Sequence, residues 1–342
     1  MNMGRVRTSV AFLGLGLLML SGTAGAQTRK AVILSTASVG GETITCGCQK
    51  KELGGLARRA TFIKTERGKN PATIVVDAGD FGSHVEYEPW MRTEFQIDMM
   101  SKLGYDVITP GPSEMVLGLE KQRALFARAP QIKVVSANIV DKKTQKPVYD
   151  DFTIIERGGV KFAVTGVTDG NFYKFKATQG QIKSDDFDFK DTKASLLRVI
   201  PQMRQQADVV VVLLHSASGD ARHMMAGISG ADAVIVGHSP EYKFMPEMVN
   251  NTPLVQTGAR GQYMGRLELD VTGNKVVGHS GEAQALGEMV AIDPEMDGIV
   301  KTFNKKYDAM KTKADAAKPK VTPKAIPNES SGALTPGGIN QN

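Results

Sequence analysis

The chain has 342 residues, of which 41% are hydrophobic and 23% are charged, and these values are ordinary for a globular protein. Its formal net charge is +6, and it falls to +4 once Arg5 and Arg7 are removed with the leader described below. The positive charge is spread along the chain and forms no basic stripe that alternates with aromatic residues. The composition therefore argues against a nucleic-acid-binding protein.

Residues 1–26 have the pattern of a secretory signal peptide. Arg5 and Arg7 form the basic start, Val10–Leu20 is an apolar stretch too short to cross a bilayer, and Ala24-Gly25-Ala26 is a small-residue cleavage site. We therefore expect the mature chain to begin at Gln27 and to be exported to the periplasm or secreted. No later stretch is apolar enough for a transmembrane helix, so no membrane span is expected after cleavage.

The first predicted strand is the apolar run Ala31–Leu34, and Leu56, Ala60 and Ile63 then recur at the spacing of one helix face. The stretch between them, Ser35–Arg59, is predicted to be a long loop at the carboxyl end of that strand. Because ligands bind at such strand ends in open α/β sheets, this loop is the first place to look for a site.

Strands and helices alternate through the rest of the chain. Strands are predicted at Ile74–Val76, Asp106–Thr109, Ile132–Val135, Asp208–Leu214, Asp232–Val236, Leu254–Thr257 and Arg266–Val271. Helices are predicted around Phe95–Leu103, Leu117–Arg128, Asp191–Gln206, Ala221–Ile228 and Met296–Met310. Phe152–Glu156 and Val160–Val164 flank Arg157-Gly158-Gly159 as a hairpin, so the sheets are expected to be mixed.

The predicted organisation is a single domain over residues 27–310, followed by a tail over residues 311–342. The tail is rich in Lys, Ala, Pro, Ser and Gly and has almost no apolar periodicity, so it is predicted to be disordered.

Three polar residues stand at the ends of strong predicted strands, namely Asp80, His215 and His238. One carboxylate and two imidazoles are good ligands for a divalent transition metal. A single residue of this kind would most simply terminate its strand, but three at successive strand ends favour a metal site.

The two cysteines of the chain, Cys46 and Cys48, lie in the first loop and are separated only by Gly47. A disulfide between them would close a very small, strained ring, so a purely structural bridge is disfavoured. Three interpretations stay open: a solvent-facing loop with a local role, a redox-active dithiol, and a pair of thiolate metal ligands.

Nine segments in fixed order resemble the amino-terminal calcineurin-like metallophosphatase domain of the 5′-nucleotidase and UDP-sugar hydrolase family. They span Ala31–Gly281 and read ILSTASVGG, LGGLARRATFI, VVDAGDFGS, VITPGPSEM, VVSANIV, FAVTGVTDG, VVVLLHSASG, AVIVGHSPEY and VQTGARGQYMGRLELDV. The resemblance implies an α/β four-layer sandwich in which two mixed β-sheets lie between helices, with a two-metal site at the strand ends. The family's carboxyl-terminal nucleotide-specificity domain is expected to be missing.

The family's metal motifs are only partly present. Its first motif, Asp-x-His, falls on Ser38 and Gly40, and its Asn and general-acid His fall on Pro112 and Ser113. The last motif keeps its first His and has Pro240 at its second. Only Asp80 then remains of the ligands of one metal. Asp80, His215 and His238 remain for the other, which implies at most a mononuclear site for Zn, Mn or Fe.

Further residues could act near such a site. His84 follows Asp80 closely, and Glu114 follows Ser113. Arg58 and Arg59 open the first helix and could bind a substrate phosphate, although salt bridges are an equal possibility.

Two functions are compatible with this pattern. The first is an exported, divergent metallophosphoesterase with weak or no ordinary phosphatase activity, whose partner would be a phosphorylated small molecule such as a nucleotide. The second is a non-hydrolytic binding or redox module built around Cys46-Gly47-Cys48 on the same fold. The sequence specifies no protein partner.

Overall fold

The computed structural model describes residues 27–46, 52–83 and 89–317. The predicted signal peptide, Cys48, His84 and the last 25 residues of the chain, 318–342, lie outside them. Among the described residues, no helix combines the length and the apolar character needed to cross a membrane.

Sixteen strands and eight helices make up the described part of the fold. The strands are β1 (Thr28–Thr36), β2 (Thr45–Cys46), β3 (Leu53–Gly54), β4 (Thr73–Asp77), β5 (Val107–Ile108), β6 (Lys133–Val134), β7 (Ile139–Asp141), β8 (Phe152–Arg157), β9 (Val160–Thr168), β10 (Phe187–Phe189), β11 (Val209–His215), β12 (Ala233–Gly237), β13 (Glu247–Val249), β14 (Thr252–Gln256), β15 (Tyr263–Thr272) and β16 (Lys275–Ala285). The helices are α1 (Leu56–Lys69), α2 (Pro89–Leu103), α3 (Pro112–Met115), α4 (Leu119–Ala127), α5 (Gly170–Thr178), α6 (Thr192–Arg204), α7 (Ser218–Met225) and α8 (Pro294–Ala317).

Two six-stranded mixed sheets form the centre of the molecule. The first has the order β16-β15-β1-β4-β5-β6 and the second the order β13-β14-β12-β11-β9-β8. Strands β1, β4, β5 and β6 run parallel in the first sheet, and β9, β11, β12 and β14 run parallel in the second. The predicted hairpin is the antiparallel pair β8–β9, so the expectation of mixed sheets is confirmed.

The apolar strands are buried on both faces because each sheet packs against the other sheet and against helices. In β1, Ala31 and Ile33 face the core between the sheets, whereas Val32 and Leu34 face the core under α1, α2 and α8. In β11, alternate residues divide in the same way between the inter-sheet core and the core under α6 and α7. The result is the predicted four-layer α/β sandwich, and a strand buried on both sides is necessarily a continuous apolar run.

Several elements differ from the predictions. The long first loop contains the short antiparallel pair of β2 and β3. The helix predicted at Leu117–Arg128 is present as α4, and an additional short helix, α3, precedes it. The last helix does not stop at Met310 but continues to Ala317, so residues 311–317 are helical and do not begin the tail. Lys and Ala have high helix propensity, and no proline interrupts the helix before Pro319. The domain limits themselves remain a prediction.

A buried carboxylate, Glu66, joins α1 to β15 of the first sheet through ion pairs. Glu66 is only 4% exposed and accepts hydrogen bonds from Lys69 (2.7 Å) and from Arg266 (2.6 Å). Burial opposes the charge of Glu66, but these two hydrogen bonds outweigh it and hold the pKa of this carboxyl below its usual range.

Because its pKa is lower in the folded than in the unfolded chain, Glu66 stabilises the fold above about pH 4.3, and this contribution is lost as the pH falls through the folded-state pKa. We expect Glu66→Gln to lower the free energy of unfolding at pH 7 by about 1.5–3 kcal/mol. As the pH falls below about 4.3 and through the folded-state pKa of Glu66, the variant and the wild type should converge. Urea titrations at several pH values test this, with Glu156→Gln, exposed on β8, as the control. A constant difference at all pH values would contradict the assignment.

Candidate metal site

Asp80, His215 and His238 meet where the carboxyl edges of the two sheets face each other. His215 is the last residue of β11, His238 directly follows β12, and Asp80 follows β4 after two small residues. Asp80 Oδ2 lies 3.2 Å from His215 Nε2 and 3.1 Å from His238 Nδ1, and the two nitrogens are 3.1 Å apart. Within residues 27–46, 52–83 and 89–317, this is the one group of three such side chains placed to share a metal ion.

The backbone at this edge is folded tightly so that the side chains can converge. Asp80 and His238 both have left-handed φ angles, 57° and 55°, which are uncommon outside glycine. Gly79 (φ 89°) and Gly237 lie against the His215 ring, because a Cβ on either would fall 2.9 Å and 2.8 Å from His215 Nδ1. The Gly-Asp and Gly-His pairs are therefore needed to bring the strand ends together.

The orientation of His215 is set by a backbone carbonyl. Its Nδ1 lies 2.7 Å from Ala78 O, so a neutral ring donates there and presents the lone pair of Nε2 to Asp80 and His238. Burial opposes protonation of this fully buried ring, but the Asp80 carboxylate outweighs burial and raises the pKa of His215. A ring held by a carbonyl at one nitrogen is the usual arrangement of a metal-binding histidine.

Ser113 holds the Asp80 carboxylate from behind, and Glu114 holds the backbone around Asp80. Ser113 donates to Asp80 Oδ1 from both its backbone N–H and its hydroxyl, each at 2.8 Å. The Glu114 carboxylate accepts the backbone N–H groups of Asp80, Gly82 and Gly111. Burial, together with the nearby Asp80 charge, raises the pKa of Glu114 to about 7. Both residues are buried and do not line the cleft in front of the three side chains, so they position Asp80.

A cleft of about 390 Å³ opens in front of Asp80 and His238. Its walls are the loop around Ser38–Gly40, the segments at Ser239 and Arg260, and Lys176 from α5. The ring of Phe172, also on α5, stacks on His238 with ring centres 3.6 Å apart.

Neither predicted phosphate-binding arginine lines this cleft. Arg58 is 6% exposed and borders a separate pocket of about 140 Å³ beside β2 and β3, where Glu52 is its nearest acid at 4.0 Å. Arg59 is 1% exposed and lies near the buried Asp77 and Tyr105 beneath the strand ends. Arg58 and Arg59 follow the first loop closely in the sequence, but successive side chains of a helix point about 100° apart. Their position in the sequence therefore does not decide whether either side chain points into the cleft.

Two further predicted positions cannot be placed. His84 and Cys48 lie outside the described residues, and of Cys46 only the backbone, paired with Leu53, is described. The redox and thiolate interpretations therefore remain predictions. Thiol labelling before and after reduction tests the first of them, because free thiols after exposure to air would contradict a labile disulfide.

Sequence reasoning missed the contributions of α5 and of the buried acid below the site. Asp77 accepts hydrogen bonds from Thr36 and from the Gly79 N–H, and burial raises the pKa of Asp77 to about 7. The signal for α5 was present, since Asp169 directly follows the apolar strand β9 and caps the helix by accepting the Asn171 N–H.

The chain is similar in sequence to curated 5′-nucleotidases. No family model matches it. The 5′-nucleotidase of Vibrio cholerae serotype O1 is 27% identical over 258 residues, which cover 63% of this chain and 45% of the relative. The chain spans about half the length of the curated relatives it matches first.

Solved structures share the fold. The calcineurin-like phosphoesterase YfkN from Bacillus subtilis has a TM-score of 0.69 at 18% identity, with 83% of this chain and 100% of that chain covered. The sulfate thiohydrolase SoxB from Thermus thermophilus has a TM-score of 0.71 at 17% identity, with 83% and 61% covered. The sequence similarity and the shared fold confirm the predicted resemblance to the 5′-nucleotidase family and to its calcineurin-like metallophosphatase domain.

Proposed function

We propose that this chain is an exported, divergent metallophosphoesterase that holds one divalent transition metal on Asp80, His215 and His238. Its substrate or ligand would be a phosphorylated small molecule such as a nucleotide. The observation that carries the proposal is the convergence of one carboxylate oxygen and two imidazole nitrogens within 3.2 Å of one another. The 5′-nucleotidase relatives support the choice of phosphorylated ligand.

The donor set fits such an ion. Two imidazoles and one carboxylate suit Zn, Mn or Fe, and His215 already presents the lone pair that a metal requires. When bound, a divalent ion would act as a Lewis acid that polarises a phosphoryl oxygen. His215 and His238 would hold the ion, and Asp80 would also offset part of its charge.

Hydrolysis is expected to be slow because Ser113, at the position of the family's general-acid His, provides little acid–base help. The Ser113 hydroxyl is buried and bonded to Asp80, so it is not placed to protonate a leaving group. General acid–base catalysis typically contributes about 10²–10⁴-fold. A second metal ion is not expected to compensate. The Ser38 hydroxyl accepts a hydrogen bond from the backbone N–H of His238, and the Pro112 side chain is an apolar ring without a ligand atom.

The proposal is tested by turnover of p-nitrophenyl phosphate and of 5′-AMP with added Mn, Co or Zn, comparing the wild type with Asp80→Ala. We expect slow turnover that requires metal and disappears in the variant. Turnover equal in both proteins would reject this site as its source. Metal binding without turnover would favour the non-hydrolytic function, and the absence of both would overturn the proposal.

Phe172 restrains the most exposed of the three side chains. His238 is 28% exposed, and stacking on Phe172 fixes the plane of its ring. Stacking of this kind is worth about 0.5–1.5 kcal/mol, so we expect Phe172→Ala to weaken Zn affinity about 2–10-fold. Phe175→Ala, on the same helix and 63% exposed, is the matched control. Competition titration against a fluorescent Zn chelator measures both, and equal affinities for Phe172→Ala and wild type would contradict the restraint.

A further inference from the structure

We infer that Lys176 forms an anion subsite in the cleft and that it binds a tetrahedral dianion, such as the phosphoryl group of a phosphomonoester or a sulfate-type group. This inference rests on the proposed metal at Asp80, His215 and His238. The cleft would then have two sources of positive charge, namely the metal ion and the Lys176 side chain on α5.

The position of Lys176 follows from the geometry of its helix. Phe172 stacks on His238, and Lys176 lies four residues further along α5, on the same helix face one turn away. Lys176 accordingly lines the same cleft as Asp80 and His238, whereas the intervening Lys174 and Phe175 are exposed on other faces. Asp169 caps the start of this helix, and the buried Tyr173 packs against Phe187, so the helix is held in place.

Among the described residues that line the cleft, Lys176 is the cation that is available to a ligand. It is half-buried, and none of the ion pairs or hydrogen bonds among the described residues involves its ammonium group. The other cation, Arg260, is engaged with the Glu42 carboxylate through Nη2 (3.0 Å) and Nε (3.3 Å). The Lys176 ammonium group can therefore pair with an anionic ligand in the cleft without first breaking an ion pair.

The backbone of the first loop cannot replace Lys176 as an anion site. The N–H of Ser38 donates to Gly79 O, that of Gly40 to Asp80 O and that of Gly41 to Phe81 O. These amides lie beside the cleft, and each already donates a hydrogen bond to a backbone carbonyl of the segment after β4. These three amides are therefore not available to a ligand.

The charges of the cleft match a dianion. A divalent ion and the Asp80 carboxylate leave one net positive charge, and the Glu42–Arg260 pair adds none. Lys176 raises the total to two, which complements a doubly charged tetrahedral group. The cleft of about 390 Å³ is within the range of small-molecule sites.

The test is isothermal titration of the Zn-loaded protein with inorganic phosphate and, separately, with sulfate, after the metal content of each sample has been measured. We expect Lys176→Met to keep its Zn and to bind the preferred anion about 10–100-fold more weakly, as expected for loss of a hydrogen bond to a charged group. Lys176→Arg should recover part of the affinity. Lys174→Met, exposed on the same helix, should bind like the wild type. The ratio of the phosphate and sulfate affinities identifies the preferred anion.

The outcomes separate this inference from the proposed function. A Zn-loaded Lys176→Met variant that binds both anions as tightly as the wild type would overturn the subsite and leave the metal site standing. A wild type without metal would overturn the proposed function. If that metal-free protein still bound phosphate through Lys176, the subsite would be supported alone, and if it bound no anion the subsite would be rejected as well.

Discussion

Gly79→Ala is expected to lower the free energy of unfolding by about 2–5 kcal/mol and to displace His215. A Cβ at this position would lie 2.7 Å from Gly111 N, 2.9 Å from Thr109 O and 2.9 Å from His215 Nδ1. Two of these three are backbone atoms that cannot move aside. Overpacking of this kind costs about 1–3 kcal/mol, and the left-handed φ of 89° adds about 1–2 kcal/mol for a residue with a Cβ.

Urea unfolding measures this loss, and Gly298→Ala is the matched control. Gly298 lies exposed within α8, and a Cβ there meets nothing within 4 Å. Alanine should therefore stabilise that helix by up to about 1 kcal/mol. Equal stability of Gly79→Ala and the wild type would show that the strand ends are not packed as described, and the role of Gly79 in placing His215 would have to be abandoned.

The fold was predictable where burial determines the sequence. Ala31–Leu34 of β1 and Val209–Leu214 of β11 are apolar at every position because both faces of these stretches are covered, and such runs are easily recognised. The ends of these strands then located Asp80, His215 and His238, since parallel strands deliver their carboxyl ends to one edge.

The rest depended on contacts between distant segments. Helix α5 contains Phe172, Tyr173 and Phe175, which have low helix propensity, and it is held by its Asp169 cap and by packing of Tyr173 on Phe187 and Phe189. The Asp169 cap can be read from the local sequence, but the packing of Tyr173 on distant aromatic residues cannot. Without α5, neither the stacking of Phe172 on His238 nor the presence of Lys176 in the cleft could be predicted.

Arg58 and Arg59, at the start of α1, also show that the sequence alone does not determine which side chains enter the cleft. Their position after the first loop suggested a role in phosphate binding, but the choice of cleft or core depends on which way each side chain points. Arg59 points beneath the strand ends and Arg58 into a separate pocket. Lys176, 96 residues from Asp80 in the sequence, lines the cleft instead.

Asp80→Asn is expected to weaken Zn affinity by at least about 100-fold, a loss larger than any other variant of this site should show. Removal of a residue that only supports a ligand typically costs 10–100-fold, and Asp80 provides both a ligand atom and the negative charge. The substitution should leave the fold intact, because Asn tolerates the φ of 57° and its Oδ1 can still accept from Ser113. Elemental analysis of protein purified without chelator should give about one metal per chain for the wild type and almost none for the variant.

Comparison with Ser113→Ala tests whether the loss of Zn affinity in Asp80→Asn comes from a metal ion bound at Asp80. The Ser113→Ala substitution removes the hydroxyl that steadies Asp80 Oδ1 and leaves all three ligands in place, so Zn affinity should fall by an intermediate factor of about 10–100. Asp220→Asn, exposed on α7, should bind Zn like the wild type. A graded loss in the order Asp220→Asn, Ser113→Ala, Asp80→Asn is what an ion held by Asp80 requires. If Asp80→Asn instead retained the wild-type metal content, the three side chains would be a buried hydrogen-bonded cluster, and the metal of this protein would have to be bound elsewhere.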